Sequence, residues 1–157
     1  MNTPPTPSVT IDRPRAVDRA RWAALYQGYA QFYRVEMTSE RLETVWRWIN
    51  DPTHEVEALL ARSGGSVLGL AHFRPFARPL RGETGMFLDD LFVDAQARGR
   101  GVGAALLQAV KQEAQRRGCT MVRWITADDN YRARTLYDQH AVRTTWITYD
   151  MAVPPKD

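Results

Sequence analysis

A chain of 157 residues, 44% hydrophobic and 25% charged, is long enough for one core that buries about two-thirds of its unfolded surface. The formal charge of +3 comes from 21 basic and 18 acidic side chains interspersed along the chain, with no polybasic run and no nucleic-acid motif, which excludes a nucleic-acid partner. No apolar run approaches the roughly 20 residues that cross a bilayer, which excludes a membrane span, and the lone Cys119 excludes an internal disulfide and a metal site built on several thiolates.

In chain order, residues 1–8 read as a disordered Pro-rich tail with no hydrophobic signal region, so a cytoplasmic location is expected. Residues 9–153 form one domain, and 154–157 a second tail. Residues 9–13 make a short strand. Residues 18–33 make a helix with Trp22, Leu25, Tyr26, Tyr29, Phe32 and Tyr33 on one face. Ser39 caps a second helix over 40–50, striped by Leu42, Val45, Trp46 and Ile49, and Asp51-Pro52 ends it. Residues 56–62 and 66–76 pair as a hairpin around Ser63-Gly64-Gly65, and a loop spans 74–84.

Residues 86–93 form the next strand, and Arg98-Gly99-Arg100-Gly101-Val102-Gly103 follows it. A long helix then carries Val102, Ala105, Leu106, Ala109, Val110 and Ala114 on one stripe, with Arg116, Arg117 and Gly118 as its stop. Residues 121–126 read as a buried strand, with Cys119 a small core residue just before it. Residues 131–139 make a helix, and 146–153 a last strand stopped by Pro154-Pro155. Strands alternating with crossover helices predict an α/β mixed sheet with helices on both faces.

Three glycines in five positions at a helix N-terminus form an anion cradle, because the first-turn N–H groups lack intrahelical partners and sit at the positive end of the dipole. A pyrophosphate suits it. Gly99-x-Gly101-x-x-Ala104 also matches the dinucleotide fingerprint, but Asp94 to Ala97 intervene after the strand and about ninety residues precede what should be a first βα unit. A mononucleotide P-loop fails, since Ala104-Ala105 stand where Lys and Ser or Thr are needed.

The order Leu88-Asp89-Asp90-Leu91-Phe92-Val93, then Arg98-x-x-Gly101-x-Gly103, then Asn130-x-x-Ala133-x-x-Leu136-Tyr137 resembles the GNAT superfamily of acyl-CoA-dependent N-acetyltransferases. Upstream, Trp22-x-x-Leu25-Tyr26-x-Gly28-Tyr29-x-x-Phe32-Tyr33 is similar to the first helix of the yeast Hpa-type histone and polyamine acetyltransferases. The resemblance implies a single-domain, mostly antiparallel twisted sheet of about six to seven strands, about four helices, and a splayed central parallel pair. It implies acetyl-CoA as cofactor and a homodimer. Leu91, Phe92 and Val93 would pair with pantetheine. Arg98, Gly99, Arg100, Gly101, Val102, Gly103 and Ala104 would cradle the pyrophosphate, with Asn130, Ala133 and Tyr137 completing the cofactor site.

The resemblance makes Tyr137 the general acid for the departing thiolate and Asp89 the base, with Asp90 and Glu83 as competitors. A base is needed because holding an amine of pKa about 10.4 neutral at pH 7 costs about 4.6 kcal/mol. Strand alternation sends Asp89 and Asp90 to opposite faces. Tyr26, Tyr29, Tyr33 and Asp89 could hold a cationic acceptor, whereas Arg74, Arg78 and Arg81 in the 74–84 loop could pair a substrate carboxylate. The acceptor is a primary amine of a polyamine, diamine, amino acid or basic peptide; the alternative is a catalytically idle acyl-CoA-binding module. His140 reads as a capping or surface residue in place of the Gly-aromatic continuation common in the family, and His54 and His72 are too isolated to assign.

Overall fold

The computed structural model describes residues 8–157, so the expected tail over 1–8 falls outside the described residues except for its last position. Five strands form one sheet in the order β1-β2-β3-β4-β5: β1 (Thr10–Asp12), β2 (Glu57–Ser63), β3 (Ser66–Arg78), β4 (Glu83–Val93) and β5 (Val122–Arg123). All pairs are antiparallel except β4 with β5. Four α-helices flank it: α1 (Arg19–Phe32), α2 (Ser39–Asn50), α3 (Val102–Arg116) and α4 (Tyr131–His140).

The two faces of the sheet have separate cores. Trp22 and Leu25 of α1 pack on Leu60, Val67 and Leu70, with Leu42, Val45, Trp46 and Ile49 of α2 around them. On the other face Val102, Leu106, Leu107, Val110 and Ala114 of α3 pack on Ala61, Ala71, Phe73, Met86 and Leu88, with Leu136 and Tyr137 of α4 alongside. Beneath α1, Arg62 lies buried in a bidentate pair with Asp18, its Nη1 and Nη2 2.6 and 2.7 Å from the two carboxylate oxygens.

Several expected boundaries move for identifiable reasons. Thr38, not Ser39, caps α2, its Oγ1 accepting from the Arg41 N–H at 3.2 Å. The 74–84 segment is not a loop: β3 runs to Arg78, paired with Glu83, and only the turn around Pro79–Arg81 leaves the sheet. Cross-strand contacts hold that extension, with Phe76 edge-on to Phe87 and the Arg74 guanidinium over the Phe87 ring. The 121–126 strand shrinks to Val122 and Arg123, which pair with Met86 and Phe87 before β4 and β5 diverge. The expected strand over 146–153 is not one. The six to seven expected strands are therefore five among the described residues: no described strand pairs with 146–153, and Trp146, Ile147, Tyr149, Met151 and Val153 are exposed.

Candidate active site

The divergence of β4 from β5 after Phe87 and Arg123 leaves one edge of Leu88–Val93 without a neighbouring strand. That gap opens into a cavity of about 380 Å³ lined by Leu91, Phe92 and Val93 of β4, by Arg98, Gly99, Gly101, Val102, Gly103 and Ala104 at the start of α3, and by Asn130, Ala133, Leu136 and Tyr137 around α4. Tyr29 and Phe32 of α1, Tyr33 at its C-cap, Ala97 and Arg132 complete the lining. Arg100 is exposed and is not part of this lining, so it stands outside the predicted cradle.

The cradle has the form an anionic cofactor needs. Gly101 is the N-cap of α3, in the left-handed region with φ 75°, and no side chain caps the helix. The first bond of the helix runs from Ala105 N–H to the Gly101 carbonyl at 3.0 Å, so the N–H groups of Val102, Gly103 and Ala104 are left to an external acceptor. Gly103 serves packing instead: a Cβ there would come 2.9 Å from Leu136 Cδ2 of α4. These residues fit a pyrophosphate group.

Tyr137 projects from α4 into the same cavity, its ring 5.3 Å from that of Trp124 at 65°. Burial pushes its pKa up to about 12, so the hydroxyl is a proton donor across the physiological range. Asn130 caps α4 through Oδ1, which accepts from Ala133 N–H at 3.4 Å, and its amide reaches Tyr33 Oη at 3.4 Å.

A second cavity, of about 470 Å³, lies where α1 and α2 cover β3 and β4. Tyr26, Val45, Trp48, His54, Glu55, Val56, His72, Arg74, Asp89 and Asp90 line it. Both aspartates reach this one cavity, which corrects the expectation of opposite faces. Leu88 pairs with Phe73 and Asp90 with His72, so Asp89 is the extra residue of a β-bulge and strand alternation is interrupted there.

Asp90 is fixed by a buried network. Trp22 Nε1–H, which can only donate, gives its proton to His72 Nε2 at 3.0 Å. The His72 proton therefore sits on Nδ1, which donates to Asp90 Oδ2 at 2.8 Å, and Tyr26 Oη donates to the same oxygen at 2.9 Å. Burial works to raise the Asp90 pKa, but the His72 and tyrosine hydrogen bonds hold it below the ordinary carboxylate value. Asp89 shifts the other way: burial lifts it above its ordinary value, and the Arg74 guanidinium, whose Nε lies 3.1 Å from Oδ2, offsets only part.

The tyrosines of the predicted acceptor pocket divide. Tyr26 lines the cavity of Asp89 and Asp90 and Tyr33 the one holding Tyr137, while Tyr29 lines the latter and hydrogen-bonds Asp90 between them. Arg74 enters the acidic cavity from β3, whereas Arg78 pairs with Glu83 at 3.2 Å at the far end of the sheet, away from both cavities. From the sequence, His54 and His72 have no assigned role and Trp48 is not reached. The one sequence signal is a histidine inside the apolar run of β3, and His72 is 1% exposed there.

A mixed sheet splayed beside a glycine-capped helix N-terminus, with a tyrosine in the gap, defines an acyltransferase of the N-acetyltransferase class. The chain belongs to the Acetyltransferase (GNAT) family, whose sequence profile matches residues 22–141, and acetyl-CoA is the acetyl donor of that family. It is 31% identical over 134 residues to the D-amino-acid N-acetyltransferase HPA3 of Saccharomyces cerevisiae, covering 84% of this chain and 83% of that protein. It is 29% identical over 150 residues to the N-acetyltransferase YhfO of Bacillus subtilis, covering 94% and 100%. A solved aminoglycoside N-acetyltransferase, AAC(6')-Iy in complex with CoA, has the same fold with a TM-score of 0.78 at 17% identity, over 96% of this chain and 99% of that one. Among the described residues no helix is long and apolar enough to cross a membrane.

Proposed function

We propose that this protein is a cytoplasmic acetyltransferase that moves the acetyl group of acetyl-CoA to a primary amine by direct attack in a ternary complex. The observation that carries this reading is the meeting of two cavities on one strand: Asp89 and Asp90 line one, and the next residues, Leu91 to Val93, line the other beside Tyr137 and the α3 cradle.

Bound acetyl-CoA supplies an acetyl thioester. The backbone N–H groups of Val102, Gly103 and Ala104 would hold its pyrophosphate, with Arg98 and Gly99 beside them, and Leu91, Phe92, Val93, Asn130 and Ala133 would take the pantetheine arm. Asp89 takes a proton from the acceptor nitrogen, directly or through a water, and its raised pKa suits it to that task better than Asp90. Asp90, held charged by His72 and Tyr26, attracts the cationic amine. Tyr137 would donate its hydroxyl proton to the departing thiolate as the amide C–N bond replaces the thioester C–S bond, and would regain a proton from solvent. The lone Cys119 lies outside both cavities, so no covalent acyl-enzyme is proposed.

The test is thiol release from acetyl-CoA with spermidine, short diamines, lysine, free D- and L-amino acids, aminoglycosides and histone-tail peptides. Turnover with at least one is expected. Tight acetyl-CoA binding with no turnover on any of them would support the binding-module reading instead.

The same proposal includes a homodimer. Trp146, Ile147, Tyr149, Met151 and Val153 are 74–90% exposed, an apolar stretch that a single chain leaves in water, and strand-like alternation runs through it. A second copy of the chain is the partner that supplies a matching sheet edge. Light scattering is expected to give a mass of two chains for the full protein and of one chain once residues 146–157 are removed; a monomeric full-length protein would contradict it.

A further inference from the structure

The acidic cavity contains one cation whose hydrogen-bonding capacity is only partly used. Arg74 spends its Nε on Asp89, at 3.1 and 3.3 Å from the two carboxylate oxygens. Its guanidinium carbon lies 5.0 Å from the centre of the Phe87 ring, so the cation is also held over an aromatic face. The terminal nitrogens, Nη1 and Nη2, have no partner among the described residues, and the side chain is 33% exposed in the cavity wall. Two parallel N–H donors match the two oxygens of a carboxylate.

Next to this fork stand Asp89 and Asp90, on the bulge that turns both into the cavity. Positive and negative binding groups are therefore adjacent, as a molecule carrying an amine and a carboxylate on neighbouring atoms requires. A polyamine would meet Arg74 as a like charge with nothing to offer it. The rest of the lining is mostly apolar and aromatic, with Glu55 as a further carboxylate: Trp48 stacks on His54, rings 4.8 Å apart and 7° from parallel, and Val45 and Val56 line the same cavity.

Resting on the acetyltransferase reading above, we propose that the acceptor is an α-amino acid. Its carboxylate is held by Nη1 and Nη2 of Arg74, its amine faces Asp89 and Asp90, and an apolar or aromatic side chain lies on Trp48, Val45 and Val56. Arg74 is thus the residue that selects amino acids over plain amines.

The experiment compares kcat/KM of the full-length protein for D- and L-phenylalanine with phenylalaninamide, phenethylamine and spermidine, by thiol release from acetyl-CoA. At least one phenylalanine enantiomer is expected to exceed phenethylamine and phenylalaninamide by tenfold or more. In R74M and R74K that ratio is expected to fall at least tenfold, chiefly through KM for the amino acid, since lysine keeps the charge beside Asp89 and loses the fork. The wild-type comparison stands even if a variant fails to fold. A preference for phenethylamine, phenylalaninamide or spermidine, or a ratio unchanged in a folded R74K, overturns this proposal and leaves the transferase reading intact. Thiol release with none of these five, but with a diamine, lysine, an aminoglycoside or a histone-tail peptide, overturns this proposal alone; thiol release with no amine of either panel overturns both.

Discussion

Replacing Tyr137 with phenylalanine is expected to lower kcat by about 10²- to 10⁴-fold, the range general-acid catalysis contributes, while the affinity for CoA stays within about twofold. The substitution removes one hydroxyl and keeps the ring that packs on Trp124. That hydroxyl hydrogen-bonds no described residue, so its loss leaves no protein group unsatisfied and costs little stability. Burial pushes its pKa up to about 12, which keeps the proton on the oxygen and makes it a donor across the physiological range. Steady-state kinetics with calorimetric titration of CoA separate the two effects. Equal kcat in wild type and Y137F would return Tyr137 to a packing role.

The largest expected loss of stability comes from D18A. Arg62 and Asp18 have side chains only 8% and 6% exposed, and they meet in a bidentate pair. Removing one partner of a buried pair strands the other charge, which costs about 3–5 kcal/mol and lowers Tm by roughly 6–20 °C for a chain of this size. Asp12, 2.6 Å from Arg62 Nε, tempers the loss but is itself half in water. The double variant D18L/R62M is expected to recover most of the stability, because neither charge is then buried.

The same pair sets a pH dependence. The Arg62 hydrogen bond holds Asp18 below its ordinary pKa in the folded chain, so its contribution is complete above the unfolded value of about 3.9 and is lost as pH falls through the folded value. Glu113, held at about 2 by Arg116 and Arg117, adds to the same acid limb. Thermal unfolding between pH 7 and pH 2 is expected to fall less steeply in D18A than in wild type. Parallel curves would mean that the pair does not couple to folding.

Much of this arrangement is legible in the sequence because its causes are local. Periodic apolar residues specify α1, α2 and α3, and Gly64-Gly65, both at positive φ, sets the hairpin turn. The glycines at the start of α3 announce a helix N-terminus without a side-chain cap. What escapes is long-range. The bulge at Asp89 depends on how β4 registers against β3, and period-two reasoning has no access to an inserted residue. His72 becomes intelligible only when Trp22, fifty positions earlier, is found donating to it. Arg74 reads as a loop cation until Phe87 and Asp89 are seen across the strand. The 146–153 segment has strand-like residues, but propensity alone gives it no neighbour with which to pair.

The most direct test of the central claim follows the acetyl group itself. With acetyl-labelled acetyl-CoA and an accepted amine, mass spectrometry is expected to find the label on the acceptor nitrogen, in amounts equal to the CoA released, and none on the protein at any time. Label retained on the protein, or recovered only as free acetate, would contradict direct transfer between the two cavities that meet at Asp90 and Leu91.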